Sequence, residues 1–496
     1  MQAVHSMLLV CLLAAMYSAR GAGNIIGGGC CAYTNNASHD YFPDKAPVAF
    51  SAGFSVEYFS SFKLVKILKR GETYVLYQRG TPKPTGVQAD VYIPIPITRA
   101  AVLSNAYFPY FELLGERKSM EVTTKHDYLN EACLQKMANE DGMLDGVTDR
   151  DLTQSNPFKT NNVDVIFKWS GSRDNDLNNT LEAAKILPPV VRVDTGAETT
   201  AAGFMDWIEY VSLFFNREAE ATRMVGEMKA RYDCIVSYVR LQPTVKVLYA
   251  SFSYRSGIVK CSFSDSSWHR RMIQEVGGEV IGEYPGYSSS SACDMAAFRE
   301  HAKTADVWFY KSNNFQEGRY GSTWSVMGNI SSEIADVAPY KNGRTFDPNG
   351  NHFRDFWSSR IVQLDVELED LVVILHPGLN YKHERTYWLN VKTEVDPGRP
   401  DPASCVCKYG AYQLRADACP GNPFSKPQGN LQPKSDYGCN NEMADSVCNA
   451  HPMGVSICGS TKEDSDPEKA PVSGSPKPQQ LVLRALLALI VAAKFQ

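Results

Sequence analysis

The chain lacks most of the signatures that assign a function quickly. There is no GxSxG, no Walker-type phosphate loop, no HExxH and no GxGxxG after a strand, which leaves out the common hydrolase, nucleotide-binding and metalloprotease motifs. Basic residues do not exceed acidic ones: 50 Lys and Arg stand against 55 Asp and Glu, a net charge of −5, so nucleic acid is not expected as a partner. No CxxC pair occurs, and only His451 lies near the C-terminal cysteines, which argues against zinc there. The histidines are scattered singly, and His126, His269, His301, His352, His376 and His383 read as surface or capping residues, not ligands. Nothing points to a catalytic nucleophile, and the protein is read as a non-enzyme without a resident cofactor or metal.

Long apolar runs are also missing, yet both ends carry short ones. Ser6 to Tyr17 followed by Ala19-Arg20-Gly21 has the shape of a secretory leader, placed at 1–22. Leu481 to Ala493, interrupted by Arg484, falls short of the roughly 20 residues of a spanning helix. Small residues and a polar spacer precede it, so 481–496 reads as a hydrophobic anchor or a GPI-attachment signal behind a stalk at 461–480. These ends put the body at the cell surface, tethered to a membrane. Of 13 cysteines, Cys11 goes with the leader, and an oxidising compartment would pair the remaining even set. Those candidates are Cys30, Cys31, Cys133, Cys234, Cys261 and Cys293, together with Cys405, Cys407, Cys419, Cys439, Cys448 and Cys458 in a small disulfide-rich module at 395–460. Sequons at Asn36, Asn178 and Asn329 fit a glycosylated, secreted body.

The most organised stretch is Gly203 to Arg240. Phe204, Trp207, Ile208, Val211, Phe214 and Phe215 share one face of a helix that continues without proline to Pro243. A single helix of about 35 residues would span roughly 50 Å, a rigid strut between two bodies. On both sides short β-branched runs alternate with helical stretches, the pattern of parallel sheets covered by helices. The fold class is therefore α/β: two lobes with parallel-type sheets joined by one long helix. The boundaries read as an extension with a β-hairpin at 23–90, a first lobe at 91–199, the connecting helix at 200–242 and a second lobe at 243–394. Strands are expected at Arg99 to Leu103, Ser119 to Thr123, Val163 to Trp169, Val190 to Val193, Val245 to Ser251 and Asp306 to Tyr310. Helices are expected at Tyr107 to Leu114, Leu177 to Lys185, Trp268 to Val276, Met295 to Thr304, Ser331 to Val337 and Phe356 to Leu375.

In parallel α/β sheets ligands lie beyond the carboxyl ends of the strands. Those loops supply Tyr107, Phe108, Tyr128 and Trp169 from the first lobe. From the second they supply Phe252, Tyr254, Arg255, Trp268, Tyr287, Lys311, Phe315 and Trp324. Two such surfaces would accept a large, partly apolar ligand. Each ring considered alone is as well explained as core.

Seven phrases in order carry a resemblance: RAAVLSNAYFPYFELLGERKSMEV, NNVDVIFKW, WIEYVSLFFNREAEA, WHRRMIQEVGGEVI, FREHAKTADVWFY, YKNGRTF and ILHPGL. Together, over about residues 90 to 380, they resemble the class III periplasmic binding proteins of the iron-siderophore and vitamin B12 type. With the phrase ETYVLYQRGTPKPTG, they are closest in style to the algal cobalamin acquisition proteins. The resemblance implies a small-molecule ligand held between the lobes and a membrane transporter or uptake receptor as partner. Many rings against few cations favour cobalamin over a ferric siderophore, whose charge and oxygens call for Arg or Lys. Haem, with His126 or Tyr254 as axial ligand, is a third choice, and a surface adhesion role is the alternative of another class.

Overall fold

The computed structural model describes residues 24, 39–123, 129, 131–141, 163–169, 188–255, 258–263, 267–282, 292–293, 295–310, 323–348, 358–379, 383–395, 401–405, 412–413 and 432–433. The expected leader, stalk, tail, Leu177–Lys185 helix and nearly all of the cysteine-rich module lie outside these residues.

The extension forms a sheet of β1 (Phe54–Tyr58), β2 (Phe62–Ile67), β3 (Glu72–Gln78) and β4 (Val91–Ile95), in that order. β2 and β3 make the expected hairpin, turning at Gly71 with φ 70. Its first arm, however, is two strands. The Phe59 N–H donates to the Phe62 carbonyl at 2.8 Å and reverses the chain between them. Lys63, Val65 and Ile67 point inward from β2, so a lysine enters the core.

The first lobe holds β5 (Ala100–Val102), β6 (Met120–Thr123), β7 (Val165–Trp169) and β8 (Val190–Val193), all parallel, in the order β6-β5-β7-β8. Helix α1 (Phe108–Leu113) follows β5, and α2 (Ala132–Glu140) follows β6. The strands are almost continuously apolar because both faces are covered.

The connector is not one helix. It is α3 (Ala201–Phe215) and α4 (Glu218–Val239), separated at Asn216, which sits in the left-handed region at φ 58. Asn tolerates this conformation better than most residues. Its side chain is also claimed: the Asn216 carboxamide accepts from Lys63 Nζ at 2.7 Å and donates to Gln78 Oε1 at 3.0 Å. Glu218 and Glu220 then open α4, where the helix dipole favours acids. The face of α3 opposite that apolar one is buried too, under residues 48–53 of the extension.

The second lobe keeps a parallel-type sheet at its centre and adds antiparallel strands at its edges. β9 (Val245–Arg255) pairs in parallel with β11 (Gly278–Ile281) and β13 (Val307–Tyr310), and β13 pairs in parallel with β14 (Thr345–Asp347). β10 (Ile258–Phe263), β12 (Ala292–Cys293) and β15 (Leu389–Asn390) add antiparallel edges. Helices α5 (Ser267–Glu275), α6 (Met295–Ala302) and α7 (Thr323–Asn329) flank the sheet. The helix expected at Phe356–Leu375 is α8 (Ser359–Val362) and α9 (Leu364–Leu375), divided at Gln363, whose φ −127 and ψ 57 are not helical. α9 runs against α4, and Arg231 pairs with Asp365 between them at 2.7 Å.

Three carboxylates bind the extension to the connector. Glu198 accepts from the Gly53 N–H, Ser51 Oγ and Trp207 Nε1 at 3.0, 2.6 and 2.9 Å. Asp206 accepts from the N–H groups of Phe50 and Ser51, and Glu209 from that of Val48. Gly203 leaves room for this arrangement, since a Cβ there would lie 2.2 Å from the Glu198 carboxylate. Burial raises Asp206 to about 6 and Glu209 to about 7, from ordinary values of 3.8 and 4.5, against the pull of the N–H donors. Between about pH 4 and 7 the folded chain therefore keeps protons that the unfolded chain releases, and this pair makes stability fall as pH rises. The expected result is a Tm that declines across that window in the native chain and declines less in the double variant Asp206→Asn, Glu209→Gln, read by scanning calorimetry at several pH values.

Candidate functional site

The carboxyl ends of the parallel strands are the places to look. In the first lobe the described chain reaches Leu103 to Asn105 after β5, Thr123 in β6, Trp169 in β7 and Asp194 after β8. In the second it reaches Ile281, Tyr310 and Asp347. Near these ends the second lobe meets the connector and the first lobe. Phe204, near the start of α3, packs on Trp268 of α5 with ring centroids 4.7 Å apart. Ser358 Oγ, just before α8, donates to the Asn105 carbonyl at 3.3 Å. We call these four residues the floor, the place where the second lobe packs against the connector and the first lobe.

Under the floor lies a buried polar cluster. His269 Nε2 contacts Glu367 Oε1 at 2.9 Å and its Nδ1 contacts the Tyr249 hydroxyl at 2.9 Å. A carboxylate only accepts, so Nε2 carries a proton, while Nδ1 accepts from the Tyr249 hydroxyl in the neutral ring and donates to it in the charged one. Glu367 Oε1 also accepts from Trp388 Nε1 at 3.2 Å and from Arg360. Burial pushes the Glu367 carboxyl up, but the charges of Arg360 and His269 outweigh it and hold the group below the usual carboxylate value. The Arg360 guanidinium lies 5.6 Å from the Trp268 ring, and the His269 ring stacks on Trp388 at 5.7 Å. The cluster is sealed from water, so it can position the floor and cannot act on a solute directly. Among the described residues no group of three or more His, Cys, Asp or Glu side chains could hold a metal.

The residues expected to touch a ligand separate into groups. Trp169 is 54% exposed at the end of β7, an interior strand of its sheet. Tyr107, Phe108, Phe252 and Trp268 are corrections: all four side chains are buried in the core, Phe252 from within β9 and the others from the helical turns that follow the strands. Tyr107 donates its hydroxyl to the Val193 carbonyl at 2.8 Å, and Phe108 is fully buried on α1. Phe252 packs edge-on against Phe298 at 4.7 Å inside the second lobe, and Trp268 supports the floor from within. Trp324 is half-buried and donates its indole N–H to the Glu394 carbonyl at 2.9 Å. Tyr254 and Arg255 belong to β9, which runs past the end expected at Ser251. Tyr128, His126, Tyr287, Lys311 and Phe315 lie outside the described residues.

Two of the histidines need correcting: His269 and His383 are buried, not on the surface. His376 is the expected capping residue, the C-cap of α9, and is buried as well. His376 contacts the Val276 carbonyl at 2.7 Å and His383 contacts Asp370. Sequence reasoning missed Arg360 and Glu367 entirely. The available signal was an arginine and four acids within the otherwise apolar run SRIVQLDVELEDLVVIL.

Cysteine pairing is in place for part of the set. Cys133 is bonded to Cys405, with Cα atoms 4.8 Å apart, and Cys234 and Cys261 are disulfide-bonded as well. Cys261 faces Cys293 in register across β10 and β12. The other candidates, Cys30, Cys31, Cys407, Cys419, Cys439, Cys448 and Cys458, lie outside the described residues, as do Asn36 and Asn178. Asn329 is exposed at the end of α7. Among the described residues no helix is long and apolar enough to cross a membrane.

No protein-family model matches the chain. An uncharacterized lipoprotein of Methanocaldococcus jannaschii is 21% identical over 343 residues, covering 66% of this chain and 78% of the relative. Among solved structures, a possible iron-binding periplasmic solute-binding protein from Staphylococcus epidermidis aligns with 57% of this chain and 100% of its own, at 14% identity and a TM-score of 0.41. The vitamin B12 binding protein of Vibrio cholerae aligns with 58% and 99%, at 11% identity and 0.39. The haem-binding protein of the same organism aligns with 56% and 100%, at 12% identity and 0.41.

Proposed function

We propose that this chain is a cell-surface solute-binding protein that captures cobalamin or a similar corrinoid between two α/β lobes and passes it to a membrane transporter. The observation that carries the reading is Trp169: a large ring left more than half exposed at the carboxyl end of an interior parallel strand, in a lobe that meets its neighbour on that same side. A flat-sided, nearly neutral macrocycle has apolar surface to place on such a ring. The ordered phrases that resemble the siderophore and vitamin B12 binding type support the same reading, and so does the shortage of cations in the strand-end loops. The oxidised cysteines and the exposed Asn329 sequon favour an extracellular body, and the apolar ends favour a leader and an anchor.

The test is a titration of the soluble body, residues 24 to 470, with cyanocobalamin, ferrichrome and haem in parallel, followed by tryptophan fluorescence. Saturable quenching by cyanocobalamin alone is expected. Trp169→Ala should then weaken binding roughly 2- to 10-fold, the worth of about 0.5–1.5 kcal/mol for one aromatic contact. Saturation by ferrichrome alone would transfer the protein to iron acquisition. No response to any of the three would favour an adhesion role.

A further inference from the structure

One polar side chain of the floor has nothing to bond to. Asn105 is only 6% exposed, and its Nδ2 is shut from water without a hydrogen-bond partner. Buried donors are paired in the great majority of cases, and one left unpaired costs the folded chain the desolvation of that group. The rest of the residue is held firmly. Ser104 Oγ accepts from the Ala106 N–H at 3.3 Å and opens the turn Asn105–Tyr107, which the Tyr107 hydroxyl ties to the Val193 carbonyl at 2.8 Å. The Asn105 carbonyl accepts from Ser358, which leads into α8. The backbone is thus fully engaged while the carboxamide is left over, and folding does not account for it.

Its position suggests a use. β5 and β7 are the two interior strands of the first sheet, and the Leu103 N–H still donates to the Phe167 carbonyl at 3.0 Å after β5 has ended. Ser104 continues extended, at φ −153 and ψ 133. Val102 stands opposite Phe167, which puts Ser104 level with Trp169 and Asn105 one residue beyond. Neighbouring strands lie roughly 4.8 Å apart. An exposed ring and a buried, unpaired donor therefore stand side by side at the carboxyl ends of the sheet. Apolar surface with a few placed polar groups is the make-up of a small-molecule site.

We infer that Asn105 is a solute-contacting residue whose Nδ2 donates to an amide carbonyl at the edge of the macrocycle that Trp169 covers. The inference rests on the corrinoid reading above and narrows it. A corrinoid carries neutral carboxamide arms around its ring, and a neutral donor suits them, whereas carboxylate arms would call for a cation. Asn105 keeps a small exposed edge, and a half-turn about χ2 exchanges the places of its oxygen and nitrogen, so Nδ2 reaches that edge without movement of the backbone. The donor is already stripped of water in the free chain. A bond formed on capture then has no hydration of Nδ2 to replace.

The experiment compares the full oxidised native chain with Asn105→Leu, which nearly keeps the shape and removes both polar atoms. Urea midpoints are read for each, together with dissociation constants for cyanocobalamin, ferrichrome and haem from tryptophan fluorescence. The expected result is a split between the two measurements. The midpoint stays level or rises, because a dry unpaired donor is gone, while cyanocobalamin binds roughly 10- to 100-fold more weakly. Unchanged binding would overturn the inference and leave the corrinoid reading standing. A midpoint that falls together with the affinity would make Asn105 a structural part of the floor and overturn it too. If the native chain binds ferrichrome alone and the variant shows the same split, the donor is upheld, since ferrichrome also offers amide carbonyls, and the corrinoid is rejected. Binding of haem alone, which has no amide, or of none of the three rejects both. Should the leucine variant fail to fold, Asn105→Ala with a native circular dichroism spectrum decides by binding: weakened upholds the donor, unchanged overturns it.

Discussion

Replacing Lys63 with alanine is expected to cost about 3–5 kcal/mol of folding stability, the range for removing one partner of a buried ion pair. Lys63 is wholly buried on β2 and pairs with Glu218, itself wholly buried at the start of α4. Its ammonium also donates to the Leu213 carbonyl at 2.8 Å and to the Asn216 carboxamide at 2.7 Å, and lies 4.6 Å from the Phe42 ring. One side chain thus satisfies the last turn of α3, the left-handed residue after it and the acid that opens α4. Without it Glu218 keeps the donor from Asn24 Nδ2 at 2.9 Å and the nearby Tyr58 hydroxyl but no opposite charge to offset its burial, which already raises its carboxyl above the ordinary value. The charge-free pair Lys63→Met, Glu218→Gln should recover much of the loss, because an uncompensated charge costs more than a missing pair. Urea midpoints with matched m-values provide the measurement. A loss under about 1 kcal/mol in the single variant would mean that water or relaxation reaches the site.

Arg360→Met should destabilise by a similar amount, about 3–5 kcal/mol, and change the response to acid as well. Glu367 would retain only His269 and Trp388 as partners for its carboxylate. In the native chain the depressed carboxyl contributes stability that is present above its unfolded value of 4.5 and is lost as pH falls through the folded value. With Arg360 gone that depression is relieved or reversed by burial, so the variant should unfold at a higher pH than the native chain during acid titration, followed by circular dichroism. Coincident acid midpoints would show that His269 alone holds the carboxylate charged. Because α8 packs against α1 and α3, the variant also tests whether the floor between the lobes depends on this cluster.

Much of the scaffold was legible, and the reason is local. Runs such as VDVIFKW and DVWFY are mostly apolar because a parallel strand is covered on both faces, and no distant information is needed to read them. The connector was legible as helix and illegible as two helices. Its periodicity continues across Asn216, and the break is fixed by Lys63, 153 residues earlier, on an alternating strand that could face either way. The site was harder to read for a related reason. An aromatic residue after a strand has the same local sequence whether it turns outward, as Trp169 does, or inward, as Tyr107 and Phe108 do. His269, Arg360 and Glu367 meet from α5, α8 and α9, so no spacing rule brings them together.

The carboxylates that hold residues 48–53 also set an order of assembly during synthesis. Their donors and acceptors are separated by 147 residues for Ser51 and Glu198, 155 for Ser51 and Asp206, and 161 for Val48 and Glu209. At about 5–20 residues per second, the extension waits on the order of ten seconds or more before its partners exist. The first lobe is then a late-closing unit despite standing early in the chain. A nascent chain halted before Glu218 would expose a sheet bearing a lysine meant for the interior, and such a chain is one that chaperones must hold open.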